Sequence, residues 1–563
     1  MNKRKIPELL APCGSYEALV AAIEAGADAV YLGTTMLNAR MNARNFDRDT
    51  LIKAVELSHS RGVRVYVTMN TTVLDRQLRD ALIQVEFLYK AGVDALIVAD
   101  LGLAALIHKY FPDLPLHAST QASGHNLDGA KFLADLGFCR MVCARELSAQ
   151  NIKYLAQNSP IPIEMFVHGA ICVSASGQCL LSSFIGGRSG NRGECAQPCR
   201  MQYNGRYPLS LKDMCLACHI TEILDMGVAS LKIEGRMKSP DYVYAVVSTY
   251  RRLLDEGRNA TSQEMDYLAR VFSRDGFTDG YFTGKKDNMH GVRSEDDKSA
   301  TKGVSIKRKS TSREIERIEA PERLNRLPEG NIVPDYPRVK FKTYKSARWY
   351  RPEFMSPELF DINYIPLEKF GKYKANGVLL PPVIPDSEME QVKKALVGAK
   401  ELGASHALVG NVGHIALARQ AGLAVHGDFR LNITSSASAN VFADLEDIIL
   451  SPELIVAQIR DIRAAKGVIV YGRQPLMTLE TSCKTAVLCD RTKAQFPVIT
   501  EGGREIVLNS LPTYMADRRE VLEKAGPFSM HFIFTLEGQQ ECKVVSRNYA
   551  KGYPTKKAVR RIK

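Results

Sequence analysis

The sequence predicts an α/β protein: an N-terminal (β/α)8 TIM-like barrel followed by a second, abbreviated barrel-like α/β domain. Three observations carry this expectation. Eight short β-rich runs alternate with helical stretches over residues 7–256, and a later segment repeats part of the first half in register. The 563 residues, 45% hydrophobic and 24% charged, also suit two barrels of about 250 residues each. A doubly wound open sheet is the alternative that the same alternation allows.

The runs are residues 7–13, 27–33, 64–70, 95–100, 114–120, 140–146, 163–169 and 230–236, with amphipathic segments such as 49–61, 76–91 and 240–256 between them. Short connections between eight such units point to a closed parallel barrel with its site at the C-terminal strand ends. Side chains alternate along a strand, so one parity faces the barrel interior. On four runs that parity collects polar residues near the C-terminal end: Thr68 and Asn70; His117, Ser119 and Gln121; Glu164 and His168; Lys232, Glu234 and Arg236. Barrel interiors are normally Val, Ile and Leu, so converging polar groups imply a site or a satisfied network at the mouth. The predicted organisation is a barrel over 1–284 with a long loop at 170–206, a basic linker or flap over 285–335, and a C-terminal repeat over 336–563.

The repeat rests on a gap-free alignment of residues 116–136 (LHASTQASGHNLDGAKFLADL) with 425–445 (VHGDFRLNITSSASANVFADL), which pairs His117 with His426. The second half lacks the cysteine spacing of the first, which suggests a substrate platform rather than a second reaction centre. Lys plus Arg number 75 against 62 Asp plus Glu, a net +13. That balance suits a polyanionic partner such as RNA, or a merely basic surface. No apolar run is long enough to span a bilayer and the N-terminus has no signal-peptide core, so a cytoplasmic protein without a membrane partner is expected. Its 12 cysteines are then candidates for metal binding or catalysis rather than disulfides.

Four of them fall in the long loop, HGAICVSASGQCLLSSFIGGRSGNRGECAQPCR. Six residues separate Cys172 from Cys179, fifteen separate Cys179 from Cys195, and three separate Cys195 from Cys199. Four thiolates meet the ligand count of an iron–sulfur cluster or a structural zinc; only one pair is tight, which favours a [4Fe-4S] cluster over zinc. Gly186, Gly187, Gly190 and Gly193 let backbone N–H groups turn toward an anionic centre, and Arg188, Arg192 and Arg200 add compensating charge. Cys215 and Cys218 form a CxxC pair open to a redox, ligand or packing role, while Cys13, Cys139 and Cys143 are expected in the core. There is no HExxH, GxSxG, P-loop or strand-linked GxGxxG, which removes the sequence warrant for a zinc peptidase, a serine hydrolase or a nucleotide-driven enzyme.

ELLAPCGSYEALVAAIEAGADAVYLG, NARMNARNF, the cysteine segment and SLKIEGRMKSPDYVYAVVSTYRR together resemble the U32 peptidase family, labelled collagenase-like. The GGRSGNRGxCAQPCR form looks most like its branch of 23S ribosomal RNA 5-hydroxycytidine synthases. A sister branch hydroxylates the wobble uridine of transfer RNA, and another acts in oxygen-independent ubiquinone hydroxylation. The chain lacks the transfer RNA branch's long insertion after the last cysteine and has Val243 or Tyr244 where that branch has a further Cys.

The resemblance implies an iron–sulfur RNA hydroxylase forming a 5-hydroxypyrimidine, with Cys172, Cys179, Cys195 and Cys199 as cluster ligands and prephenate as co-substrate. Ribosomal RNA is favoured over transfer RNA, and an electron-donor protein is a further candidate partner. A dicarboxylate needs cationic anchors, for which Arg145, Lys232, Arg236, Arg40 and Arg44 are candidates, with Asn70 and Gln121 as polar substrate contacts. His168 is a candidate proton relay or orienter of the cysteine loop, and Glu146 or Glu234 a candidate base. RNA would present an unpaired or flipped base, its phosphates held by the basic linker and the tail KKAVRRIK. The competing readings are a collagenase-like peptidase and a noncatalytic RNA-binding or assembly factor.

Overall fold

A computed structural model describes residues 6–41, 43–302, 306–309, 316–337 and 343–562. The first barrel is closed by parallel strands β1 (Glu8–Pro12), β2 (Ala29–Gly33), β3 (Arg64–Met69), β4 (Ala95–Val98), β5 (Leu116–Ala118), β6 (Arg140–Val142) and β7 (Ile163–Ala170). After an inserted β8 (Asp213–Cys215), the eighth parallel strand, β9 (Ser230–Ile233), pairs with both β7 and β1. The helices between them begin where the sequence supplies a capping side chain. Ser15, Asp47, Asp100, Asn126, Ser148 and Ser239 each accept from an N–H of the first turn, an interaction worth about 1 kcal/mol. One core lies between strands and helices; a second, of Leu10, Ala29, Tyr31, Tyr66, Ala95 and Ile97, fills the barrel itself.

β8 runs antiparallel to β7 and carries the short β10 (Phe277–Thr278) on its far edge. The β7–β9 register also slips between Phe166 and His168. Phe166 pairs with Lys232 and faces inward, whereas His168 pairs with Ile233 and turns to the helical layer. The alternation that put His168 on the interior face ends at this irregularity.

The second barrel has the same plan. Strands β11 (Tyr344–Trp349), β12 (Ile362–Pro366), β13 (Gly377–Leu379), β14 (His406–Val409), β15 (Ala424–Gly427), β16 (Ile448–Ile449) and β17 (Lys466–Gly472) are parallel. An insertion follows, with β18 (Pro475–Leu479), β19 (Val487–Cys489), β20 (Gln495–Glu501) and β21 (Arg504–Leu508) as a separate sheet, then β22 (Thr513–Tyr514). Strand β23 (Ser529–Phe534) closes the barrel on β17 and β11. The strand set is complete, and the abbreviation lies in the connections. The links from β11 to β12 and from β12 to β13 hold only 3-10 turns, and helices Ile415–Gln420, Ser436–Asn440 and Val456–Asp461 are no longer than 6 residues.

The repeat extends to backbone detail. Ser123 and its counterpart Asn432 are both left-handed, at φ 58 and 55°, and the counterparts Asn126 and Ser435 both cap helices. β17 slips register as β7 does, each ends near a left-handed glycine (Gly169, φ 103°; Gly472, φ 112°), and β22 pairs antiparallel with β17 as β8 does with β7. Tyr250 and Tyr549 make matching bonds to Val167 O and Val470 O.

The barrels meet at the C-terminal ends of their strands through an exchanged pair of contacts. A Cβ on Gly102 would lie 2.1 Å from Ser438 N, and one on Gly413 would lie 2.1 Å from Asn126 Oδ1. Asp75 accepts from Ser436 N and Oγ at 2.7 and 2.9 Å across the same interface. The mouth of the second barrel is filled by a buried network in which Asp428 accepts from Arg348 and Arg430 at 2.6 and 2.9 Å. Glu501 accepts from Arg430 at 3.0 Å and from Tyr350 at 2.9 Å. Arg430 aligns with Gln121, so an ion pair stands where the first barrel keeps an open cavity.

Residues 316–337 of the expected flap lie along the first barrel's helices. Ile318 N donates to His59 O, Arg323 to Tyr89 O and Val93 O, and Tyr110 Oη to Ile332 O. Residues 303–305 and 310–315 of that segment lie outside the described residues. The C-terminal tail is docked rather than extended for phosphate. Arg560 lies 4.0 Å above the Phe184 ring, Arg561 pairs with Asp517 at 2.8 Å, and Lys557 pairs with Glu541 at 2.5 Å.

Candidate functional site

The four thiols of the excursion face one cavity of about 140 Å³ at the mouth of the first barrel. β7 and β8 hold the two ends of the excursion as an antiparallel pair, and Arg200 ties its return limb down by donating to Ile171 O at 3.2 Å, Ser210 Oγ at 2.9 Å and Leu211 O. Gly193 is left-handed (φ 85°), and a Cβ there would fall 2.2 Å from Asn38 O, so only glycine lets the loop press against the segment after β2. The second half completes the wall. Ala175 N and Leu180 N donate to Thr478 O and Leu476 O of β18, both at 2.7 Å, and Met477 reaches the cavity.

Burial pushes the Cys199 thiol up to about 12 and the Cys179 thiol well above its usual range, and each is raised further by the other loop cysteines. Cys172 and Cys195 thus lie within electrostatic reach of both. Among the described residues, no three His, Cys, Asp or Glu side chains are gathered tightly enough to hold a single ion.

The cavity also collects charge. Arg40, Arg145, Lys232, Glu234 and Arg236 line it, together with Asn70 and Gln121. Glu234 faces Arg40 at 3.5 Å and Arg145 at 3.8 Å. Burial opposes its ionisation, but Arg40, Arg145, Arg236 and Lys232 outweigh it and hold the carboxyl below its ordinary range. Arg145 also donates toward Cys172 Sγ at 3.5 Å and stacks 4.5 Å above Phe166. Arg236 is anchored by Thr68 Oγ1 at 3.0 Å and Asn38 Oδ1 at 3.3 Å; burial lowers it to about 10. Lys232 sits 4.5 Å above Tyr31 and donates to Glu164 at 2.8 Å, beneath the cavity floor. Asn70 accepts from Ala39 N at 3.0 Å, fixing the loop that carries Arg40.

Three sequence candidates lie elsewhere. His168 packs against Tyr242, Tyr250 and Phe277, and burial lowers it to about 3. Glu146 is buried behind the cavity, 2.6 Å from His125 Nε2 and accepting from Ser176 N and Oγ at 2.8 and 2.9 Å; it anchors the cysteine loop. Arg44 is exposed and faces Glu17 at 3.7 Å. Cys215 is buried 3.7 Å from Tyr250 Oη and Cys218 is exposed, neither lining the cavity. Cys13 and Cys143 are core residues as expected, but Cys139 is exposed, because β6 begins one residue later. Sequence reasoning missed Tyr31, Phe166 and Met477. The aromatic pair share the interior parity and were legible there; Met477 comes from the other half and carried no signal.

Fold and cavity together define a class: a protein of two closed, eight-stranded parallel TIM-like barrels whose first barrel holds four thiols and a cationic cluster at its mouth. The chain belongs to peptidase family U32, whose profile matches residues 14–291 and 374–481. The 23S rRNA 5-hydroxycytidine C2501 synthase of Escherichia coli (strain K12) is 41% identical over 286 residues, covering 49% of this chain and 42% of that protein. The collagenase of Porphyromonas gingivalis (strain ATCC BAA-308 / W83) is 35% identical over 310 residues, covering 50% of this chain and 74% of that one. The tRNA hydroxylation protein P1 of Bacillus subtilis (strain 168) is 37% identical over 268 residues, covering 45% and 64%. The match thus spans less than half the length of the synthase. Among the described residues, no helix is long and apolar enough to cross a membrane.

Proposed function

We propose that the chain is an RNA-modifying enzyme that converts a pyrimidine C5–H to C5–OH, with cytidine in 23S ribosomal RNA as the favoured target. In this reading a [4Fe-4S] cluster is held by Cys172, Cys179, Cys195 and Cys199, and an acidic molecule of prephenate type is the co-substrate. One observation carries it: four thiols and four cations converge on a single cavity at the mouth of a barrel. Relatives named for 5-hydroxycytidine formation and tRNA hydroxylation support the reaction class.

The donor set fits the group. It is all sulfur, its loop is glycine-rich, and its four thiols line one cavity. Replacing C5–H by C5–OH removes two electrons from the ring and installs one oxygen atom, so the acidic co-substrate would have to act as both the oxygen donor and the two-electron acceptor, being reduced as the ring is oxidised. The bound cluster would supply the electron-transfer capacity that side chains lack. The protein's own groups do the rest. Arg40, Arg145, Arg236 and Lys232 stand against one lining carboxylate, Glu234, and so favour an acidic co-substrate. Tyr31 and Phe166 give those cations flat apolar backing, and Glu234 keeps the guanidinium groups of Arg40 and Arg145 aligned in its absence.

The peptidase reading fares worse, because among the described residues no histidine lines the cavity to activate a hydroxyl or thiol. Mass spectrometry of nucleosides from ribosomal and transfer RNA of a deletion strain tests the proposal. One hydroxylated pyrimidine should disappear, and its RNA fraction names the substrate; an unchanged nucleoside profile refutes the assignment. Protein purified without oxygen should be brown and contain iron and sulfide.

A further inference from the structure

Beside the cavity, three cations crowd one aromatic ring. Lys238 Nζ lies 2.7 Å from the centroid of Phe272, Arg293 Cζ 4.3 Å and Arg274 Cζ 5.5 Å. Asp213 is the carboxylate that pairs directly with one of them. Asp213, buried on β8, accepts from Arg274 Nη1 at 2.6 Å through Oδ1, while its Oδ2 has no partner. Among the described residues Arg293 donates to the neutral Thr301 Oγ1 at 3.0 Å, and its buried Nε has no hydrogen-bond partner. Neither Lys238 nor Arg293 forms an ion pair among the described residues. Other carboxylates act only at longer range: Glu234 on Lys238 and Asp297 on Arg293, Asp297 also accepting from Ser294 N and Asp275 N at 2.8 and 3.2 Å, while Asp275 faces Lys212 at 3.5 Å.

Like charges this close repel, and attraction to one ring face offsets only part of that cost. Burial pushes the Lys238 ammonium down to about 7, against the pull of Asp213, and Arg274 and Arg293 push it further. An anion seated among the three would relieve the repulsion and restore that charge. All three side chains are only half-buried, so the group is reachable from solvent.

Its place is informative. Lys238 follows Arg236 of the cavity lining by two residues, about 7 Å of extended chain at most. On the other side, Arg200 lies within electrostatic reach of both Arg274 and Cys199.

We propose that Lys238, Arg274 and Arg293, arrayed over Phe272, form a subsite for an RNA phosphodiester flanking the nucleotide delivered to the cavity. This rests on the RNA reading above. A phosphate oxygen set can accept from two guanidinium groups and an ammonium at once. The position, one loop away from the cavity, suits a neighbouring phosphate of the same strand.

The test uses the full chain, purified without oxygen, and a fluorescent single-stranded RNA oligonucleotide titrated over a salt series. The double variant Lys238→Gln/Arg293→Gln should bind at least roughly tenfold more weakly at low salt. Its slope of log affinity on log salt should be shallower by about 0.7 for each phosphate that is no longer neutralised. Lys238→Arg and Arg293→Lys keep the charge and should keep the wild-type slope. Circular dichroism checks folding; should the double variant unfold, Arg293→Gln alone carries the same comparison. A wild-type slope in a folded variant overturns the subsite and leaves the hydroxylase reading standing. No RNA binding by the wild type overturns both. Inorganic phosphate is the second arm: if it raises the wild-type melting temperature but not the variant's, while the RNA slopes coincide, the site takes a small phosphate and the RNA subsite is refuted.

Discussion

Replacing Glu164 with glutamine removes the charge partner of Lys232 while keeping the shape of the side chain. Glu164 is fully buried inside the first barrel, accepting from Lys232 Nζ at 2.8 Å and Arg140 Nη1 at 3.3 Å. Arg140 keeps Glu8 at 2.6 Å, so the charge left bare is Lys232. Burial favours the neutral acid, yet Lys232 and Arg140 outweigh it and hold the Glu164 carboxyl at about 2, against an ordinary 4.5. A depression of that size is on the order of 3 kcal/mol of folding stability, in line with the roughly 3 to 5 kcal/mol lost when one partner of a buried pair is removed.

The sign of the pH dependence follows. In the wild type this contribution is present above pH 4.5 and is lost as the pH falls toward 2. In Glu164→Gln, Lys232 is already lowered by burial and loses the carboxylate that supported its charge. The variant is then most destabilised at neutral pH, and its deficit shrinks as the pH climbs toward 10.5, where the unfolded lysine also loses its proton. Urea unfolding followed by far-ultraviolet circular dichroism at pH 7 and pH 10 measures both effects. Fluorescence of Trp349, the one tryptophan, on β11, reports the second barrel separately and should change little. A less charged Lys232 should also raise the KM for an acidic co-substrate. A loss below about 1 kcal/mol at pH 7, or a deficit that widens with pH, would refute this account of the barrel interior.

Cys195→Ala should abolish iron content and visible colour while leaving Trp349 fluorescence native; retained iron would move the ligand assignment toward Cys215 or Cys218. Gly193→Ala forces a side chain to φ 85° and to within 2.2 Å of Asn38 O. It should cost about 1 to 2 kcal/mol from the backbone alone and lower iron incorporation, read by thermal melting and metal analysis. Asp428→Asn leaves Arg348 and Arg430 undercompensated and should destabilise the second barrel by about 3 to 5 kcal/mol, read by Trp349 fluorescence in urea. His168→Phe, away from the cavity, should leave RNA modification essentially unchanged in a mass-spectrometric assay; a large loss in a folded variant would restore a relay role.

Much of the site was legible because strand parity and cysteine spacing are local properties. Period-two alternation placed Thr68, Asn70, Gln121, Lys232, Glu234 and Arg236 on the interior face, and all of them line the cavity, with Thr68 also anchoring Arg236. It failed at His168 because one register slip in β7 reverses every later side chain, and nothing local to the sequence marks that slip. Glu146 misled for a different reason: it follows β6 at the mouth, but the nearest polar atoms belong to His125 and Ser176, which draw it behind the wall. The repeat between residues 116–136 and 425–445 was visible as aligned letters, whereas its matched left-handed turns and helix caps emerged from the structure.

The sequence by itself determined two α/β barrels, the thiols available to bind a cofactor, and the cations gathered at strand ends. Those follow from periodicities of two and 3.6 and from capping residues, which act over a few neighbours. Only the tertiary structure decided that the second barrel's mouth is sealed by ions while the first stays open, that Met477 closes the first cavity from the other half, and that Lys238, Arg274 and Arg293 share one ring. Each depends on side chains brought together across long stretches of chain, where charge and packing are settled by distance in space rather than by position in sequence.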